Sequence, residues 1–177
     1  MATTRETIDI AALIRDIPDF PQPGVLFKDI TTLIKDGAAF RYVIDRLTEP
    51  YRDARIDRVV GIESRGFIFA APIADRLGAG IVPIRKAGKL PAPSIRRAYQ
   101  LEYGSNTLEM HSDAIEAGQR VLLVDDVLAT GGSAAAAIEL VEQLGGTIAG
   151  VAVVVELAFL NGRDRLRGYD LLSLVRY

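Results

Sequence analysis

Apolar positions in this chain switch between two spacings. Ile10, Leu13, Ile14 and Ile17 recur at i, i+3, i+4 and i+7 behind a Thr3-x-x-Glu6 pair that fits a capping box. They predict an opening helix that Pro18 stops. Residues 18–24, PDFPQPG, read as a proline-rich turn without regular structure. From Asp36 to Arg55, one stripe of Phe40, Val43, Ile44, Leu47 and Tyr51 predicts a second amphipathic helix.

Beyond Arg55 the pattern becomes short apolar runs separated by helical stretches. Strands are predicted at Arg58–Ile62, Gly80–Arg85, Val121–Val124, Ile148–Glu156 and Leu171–Val175. Pro83 marks an edge or a bulge. Helices are predicted at Gly66–Leu77 and Gly132–Leu144, the latter ended by Gly145-Gly146. Continuously apolar strands alternating with helices imply an α/β fold, with a mainly parallel sheet covered on both faces. Ligands of such sheets bind beyond the carboxyl ends of the strands. Residues 86–112 fit neither pattern, and a mobile lid and a small β excursion both remain open. No repeat is visible at periods of 20–50 residues.

Length and composition narrow the class. A chain of 177 residues is expected to form one domain, and 49% apolar with 25% charged residues is an ordinary globular mix. Lys plus Arg number 21 against 23 Asp plus Glu, a balance that argues against a nucleic-acid binder or a basic membrane-surface protein. With no Cys and one His, His111, a thiolate site, a multi-histidine metal site and a His-paired serine triad are excluded or disfavoured. Any metal should be a hard ion held by oxygens, such as Mg²⁺. The opening residues lack a signal-peptide core, and the most apolar run, Ala149–Val155, is too short to span a bilayer. A cytoplasmic protein is the expectation.

The strongest motif is VLLVDDVLATGGSA at 121–134. An apolar strand runs into Asp125 and Asp126, then a turn of small residues, then a helix. Backbone N–H groups around Ala129, Thr130, Gly131, Gly132 and Ser133 open that helix and point outward, which makes an anion site. Glycines let the backbone approach a phosphate, and two hydroxyls add donors. The two acids suit vicinal sugar hydroxyls, directly or through Mg²⁺. The motif therefore predicts a ribose 5-phosphate, and it is neither the dinucleotide fingerprint nor a P-loop. A plain strand–turn–helix would leave two adjacent acids at a buried strand end, which costs desolvation without a partner.

This motif resembles the phosphoribosyl-diphosphate signature of the type I phosphoribosyltransferases. FPQPGVLFKDIT at 20–31, GIESRGFIFA at 61–70, RKAGKLP at 85–91 and LEYG at 101–104 follow in the order and spacing of that family's adenine-using branch. The resemblance covers nearly the whole chain. It implies a central mainly parallel sheet flanked by helices, a small base-binding hood within residues 1–35 and a flexible catalytic loop at 86–112. The implied reaction transfers a phosphoribosyl group from 5-phosphoribosyl 1-diphosphate to adenine, giving AMP and diphosphate.

Roles follow from the same resemblance. Asp125, Asp126 and Ala129–Ser133 would hold ribose and its phosphate. Glu63, Ser64 and Arg65, with Arg85 and Lys89, would grip the diphosphate. Tyr103 would close over it, and Glu102 would relay a proton at the purine N7. Leu26, Phe27 and Lys28 would read adenine, largely through main-chain groups. Mg²⁺ would arrive with the substrate, with Asp125 and Asp126 as outer-sphere partners. A homodimer is implied, with no nucleic-acid or membrane partner. Arg96 and Arg97 are expected to face solvent, as is His111. Two other readings compete: an enzyme using another base, such as an oxopurine, and a non-catalytic sensor of the same diphosphate.

Overall fold

Residues 7–100 and 105–177 are described by the structure, a computed structural model. Thr3 and Glu6 of the supposed capping box, and Glu102 and Tyr103 of the LEYG segment, lie outside the described residues. The described chain forms two compact units, one up to Arg46 and one from Leu47.

The opening helix does not form over the described residues. A single 3-10 turn, Ala11–Leu13, is followed by strand β1 (Arg15–Pro18), which pairs antiparallel with β2 (Leu26–Asp29). Ile10 and Ile14 are buried, so the apolar spacing was real but needed only one turn to satisfy it. Cross-strand charge pairs then favour extension: Arg15 opposes and binds Asp29, and Lys28 Nζ meets Asp16 Oδ1 at 2.6 Å. The proline-rich segment is the hairpin loop. Phe20 N–H donates to the Val25 carbonyl at 3.2 Å, and Asp19 Oδ1 accepts the Gly24 N–H at 2.7 Å.

Helix α1 (Thr31–Ile34) precedes α2 (Gly37–Thr48), whose N-terminus is capped by Asp36 Oδ1 accepting the N–H groups of Ala38 and Ala39 at 2.9 Å. The predicted helix to Arg55 instead passes into a 3-10 turn at Glu49–Tyr51. Pro50 has no N–H with which to continue the ladder.

Among the described residues, the second unit is built on seven strands. These are β3 (Arg58–Ile62), β4 (Gly80–Lys86), β5 (Ser94–Gln100), β6 (Ser105–His111), β7 (Arg120–Leu128), β8 (Thr147–Glu156) and β9 (Leu171–Arg176). Their order is β5-β6-β4-β3-β7-β8-β9. Strands β4, β3, β7, β8 and β9 are mutually parallel, while β6 pairs antiparallel with both β4 and β5. Of the two readings left open for 86–112, the described residues take the β one. Strand β6 joins β4 only at Arg85 and Lys86, so Pro83 sits where β3 is the strand partner of β4.

Helices α3 (Gly66–Leu77) and α4 (Gly132–Gln143) pack on this sheet. The core runs through Val60, Leu123, Ile138, Val141 and Val153, all essentially without exposed surface. Each such side chain contributes roughly 1.5–3 kcal/mol on burial. Gly61 sets the closeness of α3 to β3, because a Cβ there would lie 2.8 Å from the Ala70 Cβ. Among the described residues no helix is long and apolar enough to cross a membrane.

Candidate active site

Strands β3 and β7 are parallel neighbours, with Gly61 opposite Val124 as their last shared pair. Each then leads through a loop into a helix: Glu63-Ser64-Arg65 into α3, and Ala129-Thr130-Gly131 into α4. Two helix N-termini therefore open at the same end of the sheet, where unpaired N–H groups and the helix dipole favour anions. Between them lies a cleft of about 420 Å³. Its polar lining is Glu63, Ser64, Arg65, Lys86, Tyr99, Asp125, Asp126 and Ser133, with Ala129, and Ile62, Leu108 and Val127 form its apolar part.

The acids are not at the end of their strand, as the sequence suggested. Strand β7 continues along β8 to the Leu128–Glu156 pair, four residues beyond its last β3 partner. Asp125 and Asp126 lie on this overhang. The overhang is shielded by close packing, since a Cβ on Gly66 would stand 2.9 Å from Asp125 Oδ1 and 3.0 Å from the Val124 carbonyl.

Asp126 is 7% exposed and pairs with Arg65, Nε to Oδ2, at 2.6 Å. Asp125 Oδ1 accepts the Asp126 N–H at 2.9 Å. Removal from water pushes the Asp125 carboxyl well above the ordinary carboxylate range, and the charge of Asp126 pushes it further. The Asp126 N–H and Arg65 oppose that rise without cancelling it.

Glu63 is the hub of the basic residues. It binds Lys89 Nζ at 2.5 Å, Arg85 Nε at 3.3 Å and the Lys86 N–H at 3.0 Å. Burial would raise its carboxyl, but Lys89, the Lys86 amide and Arg85 together lower it to about 2. Glu63 thus gathers the cations expected to grip a diphosphate. A second carboxylate, the buried Glu109 of β6, accepts the Gly88 N–H at 2.9 Å and pairs with Arg96 at 2.6 Å. Arg97 pairs with Glu139 of α4. Arg96 and Arg97 are indeed largely exposed, yet both hold carboxylates. His111 is half-buried in the ribbon opposite Ser94, with a buried Nε2, and so is not the surface residue expected.

The turn at 129–133 is shaped by glycine. Gly131 has φ +80°, and a Cβ on it would lie 2.5 Å from the Gly162 carbonyl. A Cβ on Gly132 would lie 3.0 Å from the Gln100 carbonyl and 3.1 Å from the Tyr99 ring. The end of β5 therefore rests on the turn. The Tyr99 hydroxyl is pushed up by removal from water and by the charge of Asp125, against a hydrogen bond with Asn106.

The cleft brings together Glu63, Ser64, Arg65, Asp125, Asp126, Ala129 and Ser133; Arg85 and Lys89 join them through Glu63, while Thr130, Gly131 and Gly132 are in the same turn but outside its lining. Leu26, Phe27 and Lys28 lie together on β2 in the first unit. Lys86 and Tyr99 were missed as cleft residues. Lys86 was hidden in a basic run, and only the ribbon's pairing reveals Tyr99. Among the described residues no cluster of three or more His, Asp or Glu could hold a metal ion. Asp125 and Asp126 supply hard oxygens but not a full set, so they would hold a cation together with a ligand's own oxygens.

Residues 31–171 match the Phosphoribosyl transferase domain family. The chain is 62% identical to the adenine phosphoribosyltransferase of Chloroflexus aurantiacus over 169 residues, covering 96% of this chain and 98% of that one. A crystal structure of the adenine phosphoribosyltransferase of Thermoanaerobacter pseudethanolicus superposes with a TM-score of 0.92 at 50% identity, covering 95% of this chain and 98% of that one. The Saccharomyces cerevisiae enzyme, solved with an imino-altritol bisphosphate and adenine, gives 0.88 at 43% identity, covering 93% and 96%.

Proposed function

The chain belongs to the adenine phosphoribosyltransferases, within the phosphoribosyl transferase domain family, and from that membership we propose how its residues divide the work. The reaction joins adenine to the phosphoribosyl group of 5-phosphoribosyl 1-diphosphate, giving AMP and diphosphate. The observation that carries the assignment of roles is one cleft lined by Glu63–Arg65, Asp125–Asp126 and both ends of the turn, Ala129 and Ser133.

The ribosyl carbon passes through an oxocarbenium-like state, as in glycoside cleavage. The protein must therefore hold both sides of a bond that is breaking, and favour charge on the departing side. The turn from Ala129 to Ser133 binds the 5-phosphate with backbone amides and the hydroxyls of Thr130 and Ser133. Asp126 accepts from the ribose hydroxyls, and its ion pair with Arg65 ties the sugar side of the cleft to the diphosphate side. Asp125, beside it in the same cleft, shares those hydroxyls. Ser64 and Arg65 take the diphosphate at the start of α3. Arg85 and Lys89 add positive charge there, oriented by Glu63. Mg²⁺ entering with the diphosphate would neutralise charge on the leaving group, with Asp125 and Asp126 as outer-sphere partners.

Main-chain groups of Leu26, Phe27 and Lys28 read the adenine edge. Lys28 keeps its ammonium on Asp16, which suits a main-chain role. Glu102 moves the N7 proton and Tyr103 shields the leaving group from water. The working form is a homodimer in the cytoplasm.

The test is AMP formation from adenine and 5-phosphoribosyl 1-diphosphate with Mg²⁺, run beside hypoxanthine, guanine and xanthine. Adenine alone should support turnover, and Asp126→Ala, still folded, should lower kcat/KM at least ~100-fold. Turnover only with an oxopurine would overturn the roles of Leu26–Lys28. Full activity in Asp126→Ala would overturn the sugar site.

A further inference from the structure

One ion pair with a buried carboxylate lies outside the cleft and is not used by the chemistry above. Glu156 ends β8, in register with Leu128, the last β7 residue before the phosphate turn. Its side chain is 3% exposed. Arg163 grips it with a fork, Nε to Oε1 at 3.0 Å and Nη2 to Oε2 at 2.6 Å. The Ser173 hydroxyl donates to Oε2 at 2.7 Å, and Arg176 lies 3.6 Å from Oε1. The hydrogen bonds from Arg163 are the largest influence holding this carboxyl below its ordinary range.

Arg163 itself is 46% exposed, so the desolvation cost falls on the Glu156 carboxylate, a costly group with which to stabilise a sheet. Fork geometry instead fixes direction. What it fixes is the residue before Arg163. Gly162 is buried, and a Cβ on it would run into the Ala129 carbonyl and lie 3.0 Å from the Gly131 nitrogen. The Gly162 carbonyl in turn meets Gly131. The phosphate turn needs this support. Helix α4 begins at Gly131 without a side-chain cap, and Gly131 is held at φ +80°.

We propose that Glu156 and Arg163 are positioning residues for the phosphate turn: their fork holds the Gly162 backbone against Ala129 and Gly131, and so sets 5-phosphate affinity from outside the site. The proposal rests on the reading that residues 129–133 hold the 5-phosphate. Neither side chain touches substrate in this account.

The experiment compares Glu156→Gln and Arg163→Lys with the parent protein. KM values for 5-phosphoribosyl 1-diphosphate and adenine are measured, along with dissociation constants for AMP and for diphosphate. AMP carries the 5-phosphate, and diphosphate does not. Glu156→Gln should weaken the diphosphate substrate and AMP roughly tenfold, leaving the adenine KM and diphosphate affinity unchanged. Arg163→Lys, which keeps the charge but loses the fork, should give a smaller loss with the same selectivity. Equal losses for all ligands, no loss at all, or failure of both variants to fold would overturn the proposal, because the pair would then serve the whole domain or nothing in the site. Thr130→Ala/Ser133→Ala tests the underlying reading. Unchanged AMP affinity there would overturn the 5-phosphate assignment and the proposal with it. A loss of AMP affinity there, with none in Glu156→Gln, would overturn the positioning role alone.

Discussion

Replacing Gly131 by Ala tests the turn with a magnitude that the geometry supplies. Two costs arise. The first is local: an L-residue at φ +80° is strained by about 1–2 kcal/mol. For a chain of this length each kcal/mol lowers Tm by roughly 2–4 °C. The second is steric: the new Cβ would stand 2.5 Å from the Gly162 carbonyl, and opening that contact to 3.0 Å moves the turn by about 0.5 Å. Misplacement of 1 Å at a reacting site costs about 100-fold, so half that displacement gives about tenfold in kcat/KM for 5-phosphoribosyl 1-diphosphate. Gly118→Ala separates the two. Gly118 has φ +85°, no atom within 4 Å of a new Cβ, and a position before β7 at the opposite end of the sheet. Steady-state kinetics with the diphosphate substrate varied, and thermal melts of both variants, complete the assay. Both should lose a few degrees, and only Gly131→Ala should lose catalytic efficiency. Wild-type efficiency in Gly131→Ala, or an equal loss in Gly118→Ala, would refute the reasoning.

Other expectations follow from the charges. Asp125→Asn should raise Tm at pH 7–8 while activity falls. Its raised carboxyl carries a cost only once pH exceeds the unfolded value near 3.8, so the gain should vanish as pH falls to that value; a gain that persists there would contradict it. Glu63→Gln should show the opposite trend. The Glu63 carboxyl is lowered from 4.5 to about 2, so its stabilisation is complete above 4.5 and is lost as pH falls through 2. The Tm deficit of the variant should therefore be largest near pH 6 and shrink toward pH 2, and a constant deficit would show that the Lys89 and Arg85 contacts do not depend on its charge.

Much of the second unit was legible because burial on both faces leaves continuous apolar runs, as in Val121–Val124 and Val151–Val155. The turn at 129–133 was legible because its glycines and hydroxyls can do little else in that context. The N-terminal segment was misread because three isoleucines spaced for a helix serve equally well in one 3-10 turn and a strand, and the deciding pairs, Arg15–Asp29 and Asp16–Lys28, cross a hairpin. The ribbon at 94–111 was ambiguous for a similar reason. Its charged residues mask the period of two, and their partners, Glu109 and Glu139, are remote in sequence or packed on a helix. Glu156 was read only as the last residue of a predicted strand. An acid closing a buried strand, with Arg163 seven residues on, was the signal available.

Because β3 and β7 run parallel, the cleft lies at one rim of the sheet and the far rim carries exposed turns such as Glu116–Gly118. The chain has no cysteine. One thiol introduced at Glu116 is therefore a unique attachment point for a fluorophore, placed at the rim away from the cleft. A second, introduced on the exposed face of the ribbon at Arg96, gives a donor–acceptor pair within one unit. Ligand-dependent movement of the ribbon then becomes a spectroscopic quantity, read in real time in a protein whose native side chains offer the dyes no competing thiol.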